Sequence, residues 1–163
     1  MRIGILSDTH DRLKRAARAS RRLADEGAEV LIHCGDLTSP DVVYECAAVP
    51  AYFVFGNNDH DEAGLRRAME AVGAVCLGRS GEVVLAGKRL AVTHGDSVRE
   101  MDRLSASAPD YLFFGHTHHP YDERQGPTRW INPGALHRAA AWTVALLDLT
   151  TDTLRVLDID DTL

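Results

Sequence analysis

The stretch Ile3-Gly4-Ile5-Leu6-Ser7-Asp8-Thr9-His10 passes from an apolar run directly into an aspartate and a histidine. A short apolar run without polar alternation predicts a strand buried on both faces. From Arg12 to Glu26, residues Leu13, Ala16, Ala17 and Leu23 fall on one face of a helix, so the strand leads into a crossover helix. The pattern then repeats. Val30 to Ile32 and Tyr52 to Phe55 read as strands, with helices predicted over Asp41 to Ala48 and Glu62 to Val72. Strands alternating with helices imply parallel pairing through right-handed crossovers.

Further along, Val83 to Leu85, Leu90 to Val92, Tyr111 to Phe114 and Thr143 to Leu149 read as strands, and Val98 to Ala106 as a fourth helix. Trp130 to Gly134 is a strand end running into a turn, and Thr150 to Asp152 forms the tip of a terminal hairpin. The last part of the chain has no other helical stretch, which predicts an α/β sandwich with mixed sheets. His119 to Thr128 shows no clear pattern and is too short for a substantial lid, so any site is expected to be open.

The chain has 163 residues, enough to bury a core without disulfides or a structural metal, and residues 1–163 are expected to form one domain. With 45% hydrophobic and 26% charged residues it is neither disordered nor of low complexity. A net charge of −6 argues against a surface built for nonspecific binding to nucleic acid or anionic lipid. Cys34, Cys46 and Cys76 are odd in number and widely spaced, so they suggest neither a disulfide framework nor a thiolate zinc site. The N-terminal apolar run is too short for an export signal, and no stretch is long enough to span a membrane. A reducing cytoplasm is the expected location.

Five of the strand-like runs end in polar clusters: Asp8-Thr9-His10, then Asp36, then Asn57-Asn58-Asp59, then His94-Gly95-Asp96, then His116-Thr117-His118. In open α/β folds the C-terminal ends of strands meet at one crevice. Asp8, His10, Asp36, Asn57, His94, His116 and His118 are therefore predicted to converge as metal ligands. Carboxylate, imidazole and amide donors suit Mn, Fe, Co, Ni or Zn better than Ca or Mg alone. Seven ligands exceed the need of one hydrated ion, so two divalent metals sharing a carboxylate are expected.

Other polar residues have plainer readings. His33 sits inside an apolar run and reads as a hydrogen-bonded core histidine; Cys34 reads as an inert core thiol. His119 and His137 read as surface residues. The bases Arg12, Lys14, Arg15, Arg18, Arg21 and Arg22 leave the apolar stripe of the first helix free, so they read as a solvated face.

In order along the chain, D-x-H at 8–10, G-D at 35–36, G-N-x-D at 56–59, H-G at 94–95 and G-H-x-H at 115–118 resemble the signature of the calcineurin-like metallophosphoesterases. The small size resembles the prokaryotic YfcE-like phosphodiesterase branch. The resemblance implies a four-layer αββα sandwich of two mixed β-sheets flanked by helices, with a dinuclear site at one edge. By the same resemblance Asp8, His10, Asp36 and His118 hold one metal, while Asp36, Asn57, His94 and His116 hold the other, with Asp36 bridging. A hydroxide between the ions then attacks phosphorus in line.

Many members have a histidine after the ligand asparagine, but here that position is Asn58, an amide that cannot usefully donate a proton at neutral pH. Asp59, which orients that histidine in the family, is retained, and His60 is the rival proton donor. Asn58, Asp59 and His60 are thus the candidate catalytic residues. Position 135, often serine in this branch, is Ala135. After Asp36 the sequence reads Leu37-Thr38-Ser39-Pro40, without the arginine of protein serine/threonine phosphatases.

The leading expectation is a metal-dependent phosphodiesterase acting on a small phosphodiester, with nucleic acid contacted only as a short substrate. A homo-oligomer is compatible with the sequence. The alternatives are a nuclease, a phosphomonoesterase, or a non-catalytic protein-interaction scaffold of the same fold, as in a retromer subunit. A scaffold has no reason to keep seven ligands.

Overall fold

A computed structural model describes residues 1–160. The first half runs β1 (Arg2–Leu6), α1 (Leu13–Asp25), β2 (Val30–His33), α2 (Pro40–Glu45), β3 (Ala51–Phe53), α3 (Glu62–Ala71) and β4 (Val75–Cys76). Its four strands pair in parallel in sequence order. β10 (Thr143–Asp148) adds antiparallel to β1, and β11 (Thr153–Asp158) adds antiparallel to β10, completing a six-stranded sheet.

The second sheet contains β5 (Ser80–Leu85), β6 (Lys88–Thr93), β7 (Tyr111–Phe113), β8 (Pro120–Gln125) and β9 (Thr128–Pro133), with α4 (Val98–Ala106) between β6 and β7. Its order is β5-β6-β7-β9-β8, and the three central strands are parallel. Both sheets are therefore mixed.

Strand periodicity decides the layers. Ile3, Ile5, Val30 and Ile32 project from the first sheet against Leu90, Val92, Phe113 and Ile131 of the second. Leu6, Leu31 and Phe53 project the other way, onto Ala16, Ala19 and Leu23 of α1, Val42 and Val43 of α2, and Leu65 and Met69 of α3. On the outer face of the second sheet, Leu104 of α4 packs with Ala91, Leu112 and Phe114. The result is a four-layer αββα sandwich. Fully burying each large aliphatic side chain of this kind stabilises the fold by about 1.5–3 kcal/mol.

The helix starts follow from their caps. Ser39, Asp61 and Ser97 accept from the backbone N–H groups of Asp41, Gly64 and Glu100 and so start α2, α3 and α4. At α1 the cap position is Arg12, which offers no side-chain acceptor, and the first turn has no acidic residue.

Three elements differ from expectation. His119 to Thr128 is not irregular: Pro120–Gln125 is the edge strand β8, which turns back onto β9. Its residues are almost all exposed, so it lacks the alternation that marks a half-buried strand, and its charges protect an open edge. The two-residue β4 is too short to leave a pattern. The second helix ends at Glu45 and does not reach Ala48. No helix among the described residues is long and apolar enough to cross a membrane.

Candidate metal centre

β1, β2, β3, β6 and β7 all deliver their following loops to the same edge of the sandwich. One ligand atom each from Asp8, His10 and His118 lies within 4.8 Å of the others, as does one each from Asp8, Asp36 and His94. Asp36 links the two groups: its Oδ2 is 3.6 Å from His10 Nε2 and 3.4 Å from His94 Nε2. Asp8 Oδ1 is 3.1 Å from His118 Nε2 and 3.8 Å from His94 Nε2. His116 is exposed, its ring centroid 5.2 Å from that of His94, and Asn57 is also exposed. The face of the site nearest these two residues is therefore open to solvent.

The backbone is bent to place these groups. Asp8, His10, Asp36, His116 and His118 all have positive φ, between 44° and 67°. For a residue other than glycine such a conformation costs on the order of 1–3 kcal/mol and persists where surrounding contacts enforce it. Here the enforcing contacts are backbone hydrogen bonds, from Asp8 N to Gly35 O and from His10 N to Asp36 O.

A surrounding set of hydrogen bonds fixes each donor. Ser7 Oγ and the His116 N–H both donate to Asp8 Oδ2, leaving Oδ1 toward the imidazoles. Asp36 Oδ1 accepts from the Asn58 N–H and its Oδ2 from the Asn58 side-chain amide. His94 Nδ1 donates to the Cys34 carbonyl at 2.8 Å, and His118 Nδ1 to the Arg138 carbonyl at 3.2 Å. A ring nitrogen bonded in this way leaves the opposite Nε2 to face a metal.

Electrostatics confirm how crowded the centre is. Burial pulls the His94 imidazole down, but the Asp36 and Asp8 carboxylates outweigh it and push the pKa up to about 9. Burial likewise works against ionising Asp36, and the His94 ring and the Asn58 hydrogen bonds overcome it, holding this carboxyl below the usual carboxylate range. His10 is lowered, chiefly by burial.

The residues fit divalent cations. His10 Nε2 and His94 Nε2 are buried and make no hydrogen bond, although carboxylate oxygens lie 3.4–3.8 Å away. An unsatisfied buried nitrogen costs about 1–3 kcal/mol, and a cation seated among these oxygens and nitrogens removes that penalty while neutralising two aspartates.

Comparison with known proteins agrees with this geometry. The model of the calcineurin-like phosphoesterase superfamily domain matches residues 1–152. The chain belongs to this superfamily. A phosphodiesterase of Methanocaldococcus jannaschii is 33% identical to this calcineurin-like phosphoesterase domain over 139 residues, covering 82% of this chain and 83% of the relative. A solved archaeal phosphodiesterase superposes with a TM-score of 0.90 at 28% identity, covering 97% and 99% of the two chains. The E. coli phosphoesterase YfcE shares the fold, with a TM-score of 0.69 at 21% identity over 98% and 100%.

Within this calcineurin-like domain the remaining candidates fall as follows. Asp59 is buried, and both its oxygens are engaged: Oδ2 accepts from the Asp36 and Gly56 N–H groups, and Oδ1 from that of Thr38. Burial raises its pKa, with the Gly56 and Thr38 N–H groups working against the rise. His60 is exposed, and its N–H donates to the Asn58 carbonyl. His33 is buried, its Nδ1 accepting from the Gly35 N–H and its Nε2 lying 3.0 Å from Thr9 Oγ1. It is a core histidine, as the sequence indicates.

Sequence reading missed three supports. Ser7 precedes the aspartate that it holds, and the Cys34 and Arg138 carbonyls have no side-chain signature at all. In sequence His137 reads as a surface residue, whereas its ring lies 4.4 Å from the His10 ring and accepts a hydrogen bond from Arg12 Nε.

Proposed function

We propose that this protein is a metal-dependent phosphodiesterase that hydrolyses a small phosphodiester at a centre for two divalent ions. Asp8, His10, Asp36 and His118 hold one ion, and Asp36, Asn57, His94 and His116 the other. The observation that carries the reading is the position of Asp36 Oδ2 between the Nε2 atoms of His10 and His94, both buried and without a hydrogen bond. When bound, the ion pair supplies an acidified water as nucleophile and positive charge for the phosphoryl oxygens.

The chain's own residues prepare that chemistry. Ser7 and the His116 N–H aim Asp8, Asn58 aims Asp36, and the Cys34 carbonyl fixes which nitrogen of His94 faces inward. Asp59 is a positioning residue: by binding three N–H groups it ties the loop of Asp36 to the loop of Asn57. Asn58 spends its backbone and side-chain amides on Asp36 and carries no titratable proton, which leaves His60 as the rival donor. The exposure of Asn57 and His116 leaves room for a diester with substituents on both sides. Manganese and nickel suit the mixed donors, and the free thiols of Cys34, Cys46 and Cys76 accord with a reducing cytoplasm.

The test is hydrolysis of bis(p-nitrophenyl) phosphate and p-nitrophenyl phosphate by the protein loaded with Mn, Ni, Co or Zn. Turnover of the diester above the monoester, lost in Asp36→Asn, supports the proposal. No diester turnover with any metal, in protein shown to bind metal, overturns it.

A further inference from the structure

Beside the ligands lies a basic group whose side chains take no part in holding a metal. Arg12 Nε donates to His137 Nδ1 at 3.3 Å, and the His137 ring lies 4.4 Å from that of His10. Because Nδ1 accepts, the hydrogen of the neutral ring is on Nε2, which becomes a second donor. Arg138 follows in the same segment, with its carbonyl on His118 and its side chain exposed. Burial acts most strongly on His137, followed by the charges of His10, Arg12, Arg138 and His118, which all lower its pKa. In a chain of net charge −6, Arg12 and Arg138 thus set two positive side chains beside His137. Most arginines on this surface with a side-chain partner pair with acids, as Arg22 does with Glu26, Arg79 with Glu62 and Arg155 with Glu26. Arg12 has none of these partners, and its other guanidinium N–H groups make no hydrogen bond among the described residues. It also occupies the cap of α1, where no side-chain acceptor or first-turn acid offsets the positive end of the helix.

Resting on the phosphodiesterase reading above, we propose that Arg12, His137 and Arg138 form an anion subsite next to the centre. Its ligand is a terminal phosphomonoester carried by the substrate beyond the scissile diester. An arginine fork recognises phosphate through paired hydrogen bonds, and an imidazole N–H adds a third. The preferred substrate class is thus a short phosphodiester that bears an end phosphate.

The test compares pApA with ApA, and an abasic diester with and without its terminal phosphate. Wild type loaded with Mn is expected to have a KM about 10–100 times lower for the phosphorylated member of each pair, from one or two charge-assisted hydrogen bonds. Arg12→Ala removes most of that ratio while leaving kcat for ApA and for bis(p-nitrophenyl) phosphate unchanged; Arg12→Lys restores only part of it. A preference confined to pApA assigns the phosphate to a nucleotide, and one shared by both pairs shows that the phosphate alone is read. Calorimetric binding of pApA against ApA is measured in parallel on metal-free protein, where the same Arg12-dependent difference is expected. Equal affinities there together with equal KM values overturn the subsite. Failure to cleave any diester overturns the phosphodiesterase reading instead, and the calorimetric difference then still decides the subsite.

Discussion

The Nδ1 of His94 lies 2.8 Å from the Cys34 carbonyl oxygen. A carbonyl only accepts, so Nδ1 carries a hydrogen whatever the charge of the ring, and Nε2 is the atom that exchanges a proton for a metal. Without metal, Asp36 and Asp8 overcome the effect of burial and hold that second proton up to about pH 9.

Metal binding near neutral pH is therefore expected to release about one proton from His94, falling toward none above roughly pH 10. Calorimetry in buffers of different ionisation enthalpy measures this number. The same shift affects the metal-free fold. A folded pKa above the ordinary imidazole value of 6.5 contributes stability that is complete below pH 6.5 and is lost as pH rises through about 9. His94→Gln removes this alkaline loss in urea titrations of the metal-free protein. An unchanged slope between those limits contradicts the assignment.

Asp36 Oδ2 faces both His10 and His94. Elemental analysis of wild type after reconstitution is expected to give about two ions per chain, and of Asp36→Asn about one or fewer. Without metal, the variant is expected to fold with reduced stability at neutral pH, since His94 and Asn58 favour the ionised Asp36 and an amide nitrogen does not accept from the Asn58 side chain. Two ions retained in Asp36→Asn would remove the bridge.

Gly56 gives a purely steric test. A Cβ built there lies 2.1 Å from Asp36 Oδ1 and 2.6 Å from the Asp36 nitrogen. Gly56→Ala must push Asp36 out of position, so metal affinity falls about 10–100-fold, as when supporting contacts of a ligand are lost. Wild-type affinity measured by competition with a chelator would show that this close approach does not position the ligand.

The parallel half of the fold was legible because strands such as Ile3–Leu6 are buried on both faces and leave unbroken apolar runs. The ligands were legible because each follows such a run. β8 was not, since a polar edge strand has no face to bury, and its partner β9 supplies the pairing. The site's finer structure was hidden for a different reason. Positive φ at Asp8, Asp36 and His118, and the carbonyls of Cys34 and Arg138, depend on contacts between distant loops that no local residue pattern records. In sequence Arg12 reads as part of a solvated basic face, because its partner, His137, lies at the other end of the chain.

His33 supplies an acid-side counterpart to His94. Burial, then repulsion from His94, lowers its pKa to about 3. A folded pKa below the ordinary imidazole value of 6.5 means that its contribution is complete above pH 6.5 and is lost as pH falls toward 3. His33→Gln is expected to be less stable at neutral pH by about 1–3 kcal/mol, through imperfect replacement of its bonds to Gly35 and Thr9. Its stability should decline less between pH 6.5 and 4 than that of wild type. The two histidines act in separate pH windows, so denaturation at neutral pH and on either side separates them.

Asn58 occupies the position where a proton donor is common in this superfamily, and both its N–H groups are turned to Asp36. A poor leaving group must then depart without protonation from this residue, so aryl diesters are expected to be cleaved far faster than alkyl diesters. Positioned general acids contribute about 10²–10⁴ in rate. Asn58→His should therefore raise turnover mainly for the alkyl ester, although Asp59 already binds three N–H groups and has little capacity left to orient a new imidazole. The gain is accordingly expected at the lower end, about tenfold to a hundredfold. His60 is the competing donor: exposed, and tied to Asn58 only through the backbone. If it serves, His60→Ala depresses alkyl turnover and Asn58→His adds little. Turnover of an aryl and an alkyl diester is compared across pH for both variants at saturating metal, and an aryl-to-alkyl ratio unmoved by either substitution shows that no proton from this loop limits the reaction.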